Sequence, residues 1–375
     1  MNREKKRGPV RRLKKLLTDA LIVLGVSAGL VLILEGGLRL FYPQNLSGKS
    51  IVGESFSNPD EMLGIRYTPG AKWRFDHPEY HVVYSINEDG FRDAKPHPMP
   101  KPPGVTRVLL LGDSFTFGQG VDYDQTWPVL VEKKMSAKDG THRVDLVKAG
   151  MQGMDTRSEY LLMKELVPKY DCDVVVIAFL INDLYTNSLD GLEGGSGETT
   201  STESDTSIAS GGPKKGLLTT MKNVFIRNDK RTTFHLLTLA RRWAISSASA
   251  YCRLYLMAPN RRQWLTVPLP AVPKARLKVT QTLFSRMVEY CRSRGKRLIV
   301  VSIPQQFQVL YFDASKDDPH IDVSIYDKIF GAFAESAGFV WIPTLDYFVR
   351  PEIDRDDLFY RLDGHLTAQG HALVA

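Results

Sequence analysis

The chain has 375 residues, 43% of them hydrophobic and 24% charged, which is enough to bury one substantial core and to carry an insertion. The formal net charge is +7, but residues 1–15 hold eight Lys/Arg against one Glu and account for this excess. Because the remainder is close to neutral, the charge pattern argues against a nucleic-acid-binding protein. The three cysteines lie far apart and have no zinc-ligand spacing. A P-loop, a G-x-G-x-x-G segment and a metal-ligand cluster are all missing from the sequence, so we expect neither cofactor nor metal.

Residues 16–41 form an apolar stretch directly after the basic tail of residues 1–15. As a helix this stretch is about 39 Å long, which spans a hydrocarbon core of about 30 Å if Asp19, Glu35 and Arg39 lie near its ends. A buried helix of a soluble protein is disfavoured because the stretch is apolar on every side. A cleaved signal peptide is the other alternative, but no A-x-A site follows. An uncleaved signal anchor is therefore favoured.

The basic tail sets the expected orientation of this anchor. Positive residues remain on the cytoplasmic side of a membrane, so residues 1–15 are expected in the cytoplasm and everything after residue 42 across the membrane. We therefore expect a single-pass protein of the bacterial inner (cytoplasmic) membrane, with its main domain in the periplasm or outside the cell.

Residues 42–104 read as an irregular lead-in segment that is rich in proline, glycine and aromatic residues. Within it, "HVVYSINEDGFRD" (81–93) predicts a hairpin, because "HVVYSI" alternates like a strand and "NEDG" has turn chemistry. Arg92 in this stretch could reach the site pocket, but a surface ion pair is favoured.

From residue 105 onward, short apolar runs alternate with amphipathic segments. Because buried parallel strands are apolar on both faces, this alternation predicts a three-layer α/β/α sandwich around a parallel sheet, spanning residues 105–375. The predicted strands are 107–112, 142–150, 173–183, 296–304 and 339–345, and the predicted helices are 125–137, 156–170, 274–295 and 324–338.

Residues 184–272 interrupt this alternation. Their first part, 191–216, is rich in Gly, Ser and Thr and predicts a mobile linker. The second part, 217–257, has helical periodicity. Insertions after the strands of such sheets lie where ligands bind, so a lid over the site and a helical pair packed elsewhere both remain open.

Polar residues with complementary chemistry follow several of the predicted strands. Ser114 lies in "GDSF" after the first strand, Gly153 in "AGMQGMD" after the second, and Asn182 in "INDLYTN" after the third. Asp363 and His365 lie in "RLDGH" after the last strand. A nucleophilic serine needs a base, the base needs an orienting carboxylate, and the oxyanion needs donors, so this set predicts a nucleophilic site. We expect His371, six residues after His365, to be a packing or surface residue.

These four segments resemble the blocks of the SGNH/GDSL hydrolase superfamily, over residues 105–183 and 296–375. More loosely, "INEDGFRD" (86–93) resembles a lead-in of its membrane-anchored members. The resemblance implies the flavodoxin-like form of the sandwich. It also implies that Ser114 is the nucleophile and the first oxyanion donor. Gly153 would be the backbone donor, with Gly150 a rival that the spacing to Asp155 disfavours. Asn182 would be the side-chain donor, and Asp363 and His365 the orienting carboxylate and the base.

The sequence departs from the family pattern at two places. Leu180 stands where the third block begins with glycine, and the last block reads D-G-H where D-x-x-H is common. The shorter spacing resembles the envelope polysaccharide acetylation branch of the superfamily, although Leu366 stands in place of its tryptophan.

The resemblance implies a membrane-anchored serine esterase or acylhydrolase. It would cleave carboxylic esters, such as O-acyl groups on envelope glycans or lipids, through an acyl-serine intermediate. The expected partners are this ester substrate and the membrane, without nucleic acid. Two alternatives stay open: an O-acyltransferase acting on envelope polysaccharide, and a catalytically silent envelope scaffold or glycan-binding protein.

Overall fold

The computed structural model describes residues 8–43, 49–51, 56–60, 63–139, 143–190, 192 and 234–375. The predicted linker at 191–216 lies outside these residues, except for Leu192. The chain divides into two units. One comprises Met1–Ser47 and Asp229–Ala244, and the other comprises Gly48–Asn228 and Ile245–Ala375.

The lead-in segment is more regular than its composition suggests. It contains five strands: β1 (Lys49–Ile51), β2 (Ser57–Asp60), β3 (Gly64–Tyr67), β4 (Lys72–Asp76) and β5 (His81–Ser85). Strands β1, β4 and β5 form an antiparallel sheet in that order, while β2 pairs with β3. Burial alternates along β5, with Val82 and Tyr84 inside. This alternation holds the segment against the core and explains its regularity.

The hairpin of the lead-in segment lies at a different position from the one expected. Strand β5 pairs with β4, which precedes it, so the chain reverses between His77 and Tyr80. The stretch "NEDG" forms a separate turn in which the Asn87 side chain accepts the N–H groups of Asp89 and Phe91. That turn leads into two buried residues, Phe91 and Arg92.

A five-stranded parallel sheet forms the centre of the larger unit, as the alternation predicted. Its strands are β6 (Val105–Gly112), β7 (Arg143–Gly150), β8 (Val174–Phe179), β9 (Arg297–Ser302) and β10 (Val340–Pro343). They are arranged in the order β10-β9-β8-β6-β7. In chain order, β7 is therefore added on one side of β6, and β8, β9 and β10 are added in turn on its other side.

Helices cover both faces of this sheet. Because crossovers between parallel strands are right-handed, the change of direction between β7 and β8 places the first crossover helix opposite the later ones. Accordingly, α4 packs on α9 and α9 on α12, while α3 packs on α14. The described helices are α1 (Gly8–Phe41), α2 (Ser114–Phe117), α3 (Trp127–Asp139), α4 (Thr156–Tyr170), α5 (Asp183–Thr186), α6 (His235–Ser246), α7 (Ala248–Leu256), α8 (Pro259–Arg262), α9 (Ala271–Arg292), α10 (Gln306–Leu310), α11 (Phe312–Ser315), α12 (Ile325–Ala337), α13 (Leu345–Phe348) and α14 (Ala368–Val374).

The smaller unit is built on helix α1. Its stretch Leu13–Phe41 has a mean hydropathy of 2.3 and is long and apolar enough to cross a membrane, as a signal sequence also would be. The side chains of this stretch are exposed except near Glu35, which is only 5% exposed. The Glu35 carboxylate accepts the N–H groups of His235 and Leu236 at 2.9 and 2.8 Å, and Arg39 Nε at 2.9 Å. It therefore caps the first turn of α6.

The described part of the insertion after residue 244 packs on the sheet domain. Tyr255 of α7 stacks on Phe307 of α10, with ring centroids 4.0 Å apart. Helix α10 follows β9, so α7 lies beside the carboxyl end of that strand. This placement brings the second half of the insertion to the edge of the sheet where the site residues are expected.

Two glycines allow the turn after β6 to lie directly on the strand ends. Gly112 and Gly150 end β6 and β7 and stand opposite each other in the register. A Cβ on Gly112 would collide with Thr116 Oγ1 and lie 2.9 Å from Ala178 Cβ. A Cβ on Gly150 would lie 2.7 Å from Phe117 N. Helix α2 can pack this closely only because neither position has a side chain.

We expect Gly112→Ala to destabilise the protein by about 1–3 kcal/mol, because the added methyl group overpacks the strand end. Thermal unfolding of the full chain in detergent measures the effect. Gly331→Ala on α12 is the matched control, since the nearest atom to its Cβ would be Trp341 Cδ1 at 3.9 Å. There alanine should be neutral or stabilise by about 0.5–1 kcal/mol. Equal unfolding temperatures for the two variants would contradict this account.

Candidate active site

The candidate site lies at the carboxyl ends of β6 and β8. Between these two neighbouring strands the chain order reverses, and in doubly wound sheets this switch point is where ligands bind. Ser114 comes two residues after β6, and Asn182 three residues after β8. Both side chains are half-buried at this edge.

The turn that carries Ser114 is held by its neighbours. Asp113 is the N-cap of α2, and its Oδ1 accepts the N–H of Phe115 at 2.9 Å. Gly118 ends α2 with φ +80°, a left-handed conformation that glycine adopts without strain. Asp113 is buried, and this burial raises the pKa of its carboxyl although the Phe115 N–H and the Asn182 amide oppose the rise. Asp113 therefore braces the turn that carries Ser114.

Ser114, His365 and Asp363 form a continuous hydrogen-bonded chain. His365 Nε2 lies 2.8 Å from Ser114 Oγ, and His365 Nδ1 lies 2.6 Å from Asp363 Oδ2. The exposed side-chain fractions of His365 and Asp363 are 17% and 8%. Burial by itself would raise the pKa of Asp363, but the charge and hydrogen bond of His365 outweigh it and lower that pKa. The carboxylate is therefore suited to orient the imidazole.

The short D-G-H spacing is compatible with this chain because of the glycine in the middle. Gly364 has φ +84°, so the backbone between Asp363 and His365 adopts a left-handed conformation. The loop is closed by backbone bonds in which Gly364 N–H donates to Tyr360 O at 2.7 Å and Tyr360 N–H donates to His365 O at 2.8 Å. The tight loop brings the two side chains together two residues apart.

The backbone donors proposed from the resemblance are available. Neither the Ser114 N–H nor the Gly153 N–H has a hydrogen-bond acceptor among the described residues. Gly153 is exposed and has φ +79° in the loop between β7 and α4. Gly150, the rival position, is instead buried in β7 and lies against the α2 turn. The geometry therefore favours Gly153 as a donor.

Two neighbours orient the Asn182 side chain. Its Nδ2 donates to Asp113 Oδ2 at 3.1 Å, and its Oδ1 accepts Gln305 Nε2 at 3.0 Å. These bonds fix which end of the amide bears hydrogens and leave one Nδ2 hydrogen for a ligand. Leu180, which replaces the family glycine, is buried, and its N–H donates to Asp183 at 3.4 Å.

Asp183 and Glu159 are buried on α5 and α4. Burial, together with repulsion from Asp113 and Asp155, raises the pKa of both groups well above the ordinary values, and Glu159 adds to the rise for Asp183. Both are therefore displaced toward the neutral form. Among the described residues there is no group of three or more His, Cys, Asp or Glu side chains arranged to hold a metal ion.

His371 and Arg92 are both buried, with 1% and 5% exposure. His371 Nδ1 accepts the N–H of Trp127 at 3.2 Å, so this histidine packs between helices, as expected, and does not reach Ser114. The expectation of a surface ion pair for Arg92 is wrong. Its guanidinium donates to the carbonyl oxygens of Phe117, Gly118 and Val121 at 2.7–3.0 Å, in the turn that follows Ser114.

Several residues that contact the site were not identified as doing so from the sequence. Gln305 follows β9, and its bond to Asn182 has no local signal in the sequence. Tyr80, Glu79 and Gln119 contact Asp363 or its loop, and the first two come from the lead-in segment. No motif marks them, because each contact joins residues more than 200 positions apart.

The sequence profile of the GDSL-like lipase/acylhydrolase family matches residues 110–373. The chain belongs to this family. No curated protein is significantly similar to it.

Three of the solved structures that are similar to this chain are the following proteins. TesA is 12% identical with a TM-score of 0.38, covering 72% of this chain and 93% of its own. The acetylxylan esterase Axe2 from Geobacillus stearothermophilus is 14% identical with a TM-score of 0.39, covering 72% and 90%. A lipolytic protein of the G-D-S-L family from Desulfitobacterium hafniense is 12% identical with a TM-score of 0.36, covering 72% and 95%.

We expect His371 to make the stability of this GDSL family member depend on pH. Burial, with the charges of Arg92 and His365, lowers the pKa of His371 from 6.5 to about 3. The unfolded chain then binds a proton below pH 6.5 that the folded chain does not bind, so stability falls as pH drops from 6.5 toward 3. The expected contribution is about 1.4 kcal/mol per pH unit in this window.

Urea unfolding at pH 7 and at pH 4.5 tests this expectation in His371→Asn, which retains an acceptor for the Trp127 N–H. The variant should lose less stability than the wild type between the two pH values. The same substitution at the exposed His320 is the control and should follow the wild type. A His371→Asn variant with the pH dependence of the wild type would refute the assignment.

Proposed function

We propose that this chain is a serine esterase in which Ser114 is the nucleophile, His365 the base and Asp363 the orienting carboxylate. The observation that supports it most directly is the hydrogen-bonded chain from Asp363 Oδ2 through His365 to Ser114 Oγ, with bonds of 2.6 and 2.8 Å. The membership of the chain in the GDSL-like lipase/acylhydrolase family supports the same chemistry.

The first half of the reaction acylates the serine. His365 Nε2 takes the proton of Ser114 Oγ as this oxygen bonds to the ester carbonyl carbon, and the carbonyl electron pair moves to the oxygen. The N–H groups of Ser114 and Gly153 and the free Nδ2 hydrogen of Asn182 stabilise the oxyanion. The tetrahedral intermediate then expels the alcohol, which takes its proton from His365.

The second half releases the acid. His365 takes a proton from a water molecule as the water oxygen bonds to the acyl carbon. The second tetrahedral intermediate breaks the bond to Ser114 Oγ, which recovers the proton from His365. Asp363 stays ionised throughout and stabilises the imidazolium that forms in each half. The products are one alcohol and one carboxylic acid, and the enzyme returns to its initial state.

We further propose that the physiological esters are O-acyl groups on glycans or lipids of the cell envelope, since an anchored domain outside the cytoplasm meets such substrates. Acyl transfer to a sugar hydroxyl would use the same acyl-serine, with the sugar in place of water. The assembled hydrogen-bond chain supports an active enzyme over a silent scaffold, because the short D-G-H block still joins Asp363 to His365.

Ser114→Ala is expected to abolish both fluorophosphonate labelling and hydrolysis of p-nitrophenyl acetate, because no other atom can form the acyl-enzyme. Asn182→Ala should lower kcat by about 10²–10³-fold through loss of an oxyanion donor. Ser336→Ala, at an exposed position on α12, is the matched control and should keep wild-type rates. Hydrolysis retained by Ser114→Ala would remove the assignment of Ser114 as the nucleophile. If a glycan is added to the assay with the wild type, formation of an acetylated glycan would indicate acyl transfer.

We also propose that α1 remains attached as a membrane anchor. The Glu35 carboxylate accepts two N–H groups of α6 from residues about 200 positions further along the chain. A carboxylate near the end of an apolar helix is costly in a membrane unless it has such partners. Cleavage after the apolar stretch would remove this cap, whereas an uncleaved anchor keeps it.

The mature protein is therefore expected to contain the tryptic peptide Leu16–Arg39 and to stay with the membrane pellet after alkaline extraction. Mass spectrometry of the protein purified after expression of the full-length sequence shows whether this peptide is present. Fractionation shows whether the protein stays with the membrane. A mature chain that begins after Phe41 and is recovered in the soluble fraction would show that α1 is a cleaved signal sequence. Peptides from β6 to β10 serve as the recovery control in both fractions.

A further inference from the structure

The lead-in segment contacts each of three loops that carry site residues, although it precedes residue 110, where the family match begins. Its side chains contact the Asp363–His365 loop, the nucleophile turn after Ser114, and the loop that carries Gly153. The contacting residues are Tyr67, Glu79, Tyr80, Tyr84 and Arg92.

The contacts with the Asp363–His365 loop are the most direct. The Tyr80 hydroxyl donates to Asp363 Oδ2 at 3.2 Å, the same oxygen that accepts His365 Nδ1. The Glu79 carboxylate accepts the N–H groups of Leu362 and Asp363 at 2.9–3.0 Å. Tyr80 is only 6% exposed, so its hydroxyl acts in a largely dry environment, where a hydrogen bond to a carboxylate is strong.

The contacts with the nucleophile turn fix its backbone. Arg92 binds three carbonyl oxygens of residues 117–121 and lies 4.7 Å from the centre of the Tyr84 ring. The Tyr84 hydroxyl accepts the N–H of Gly120 at 3.0 Å. Because Arg92 is buried and its partners are neutral carbonyls, the hydrogen bonds of its two NH2 groups are kept only while the turn has this shape, and its Nε has no partner among the described residues.

A third set of contacts connects the Gly153 loop to the same carboxylate. The Tyr67 hydroxyl accepts the N–H of Gln152 and donates to its Oε1, both at 3.1 Å. Gln152 Nε2 donates to Gln119 Oε1 at 2.7 Å, and Gln119 Nε2 approaches both oxygens of Asp363 at 3.4–3.5 Å. One polar chain thus runs from the lead-in segment past Gly153 to Asp363.

We propose that the lead-in segment is part of the active site, and that Tyr80 is a positioning residue that acts through Asp363 by limiting the negative charge this carboxylate presents to His365. The proposal rests on the function proposed above. The groups that face Asp363 are His365, Tyr80 and Gln119 as hydrogen-bond donors, with Glu79 and His77 as nearby ionisable neighbours.

The loss of the Tyr80 hydroxyl has a specific electrostatic consequence. Without this donor, the Asp363 carboxylate presents more negative charge to His365. The protonated form of the His365 imidazole is then more stable. The free enzyme then stays protonated to higher pH, so the acid limb of kcat/KM moves to higher pH. The base is also less well oriented, and kcat should fall about tenfold while KM stays unchanged.

The test compares the full-length wild type with Tyr80→Phe in detergent, using p-nitrophenyl acetate hydrolysis across pH and thermal unfolding. Tyr326→Phe is the matched control, because it removes a buried hydroxyl that has no hydrogen-bond partner in the described part of the chain. Gln119→Met removes the other neutral donor to the carboxylate and should shift the acid limb in the same direction. This second variant keeps the proposal testable if Tyr80→Phe folds poorly.

The expected result is a shift of the acid limb in Tyr80→Phe and Gln119→Met but not in Tyr326→Phe. Folded variants with lower kcat and the acid limb of the wild type would show a merely structural role and overturn the proposal. Wild-type kcat together with a wild-type acid limb would also overturn it. A wild type that neither hydrolyses the ester nor reacts with fluorophosphonate would overturn the proposed function itself, and the role of Tyr80 with it.

Discussion

The close approach of the α2 turn to the ends of β6 and β7 is the constraint on which the site depends. Gly112 and Gly150 face each other there, and the absence of their side chains lets Thr116 and Phe117 lie against the strand backbones. The same strand end accepts the N–H of Met151 on Gly112 O at 2.9 Å, which begins the loop toward Gly153. The register of the sheet thus places the turn that carries Ser114 beside the loop that leads to Gly153.

The sheet, and the meeting of the candidate site residues at one edge of it, could be predicted because their signals are local. Strands buried on both faces read as continuous apolar runs, and all five predicted strands of the sheet are found. Ser114, Asn182 and His365 follow strand ends or lie in short motifs, and parallel strands bring such ends to one edge. The left-handed backbone conformation of Gly364, which lets Asp363 and His365 meet across the short D-G-H spacing, could not be predicted from the sequence.

The lead-in segment was harder to predict because its contacts are long-range. A lone arginine in "GFRD" normally stays in water, since burying a charge is costly. Arg92 is buried because three carbonyl oxygens converge on it, and these belong to a turn about 25 residues further along. Tyr80 lies 283 positions from Asp363. Neither contact leaves a spacing or periodicity that sequence reasoning can use.

The environments of the carboxyl groups around the site shift their pKa values in two opposite directions. Asp363 has three donors, and His365 with Tyr80 lowers its pKa against the effect of burial. Burial raises the pKa of Asp113, Glu159 and Asp183, and Asp113 accepts the side-chain amide of Asn182. The ionised form is thus favoured for the carboxyl beside His365 and disfavoured for these buried acids. In the proposed reaction, ionised carboxylates at these positions would repel the oxyanion, so the raised pKa values favour the reaction.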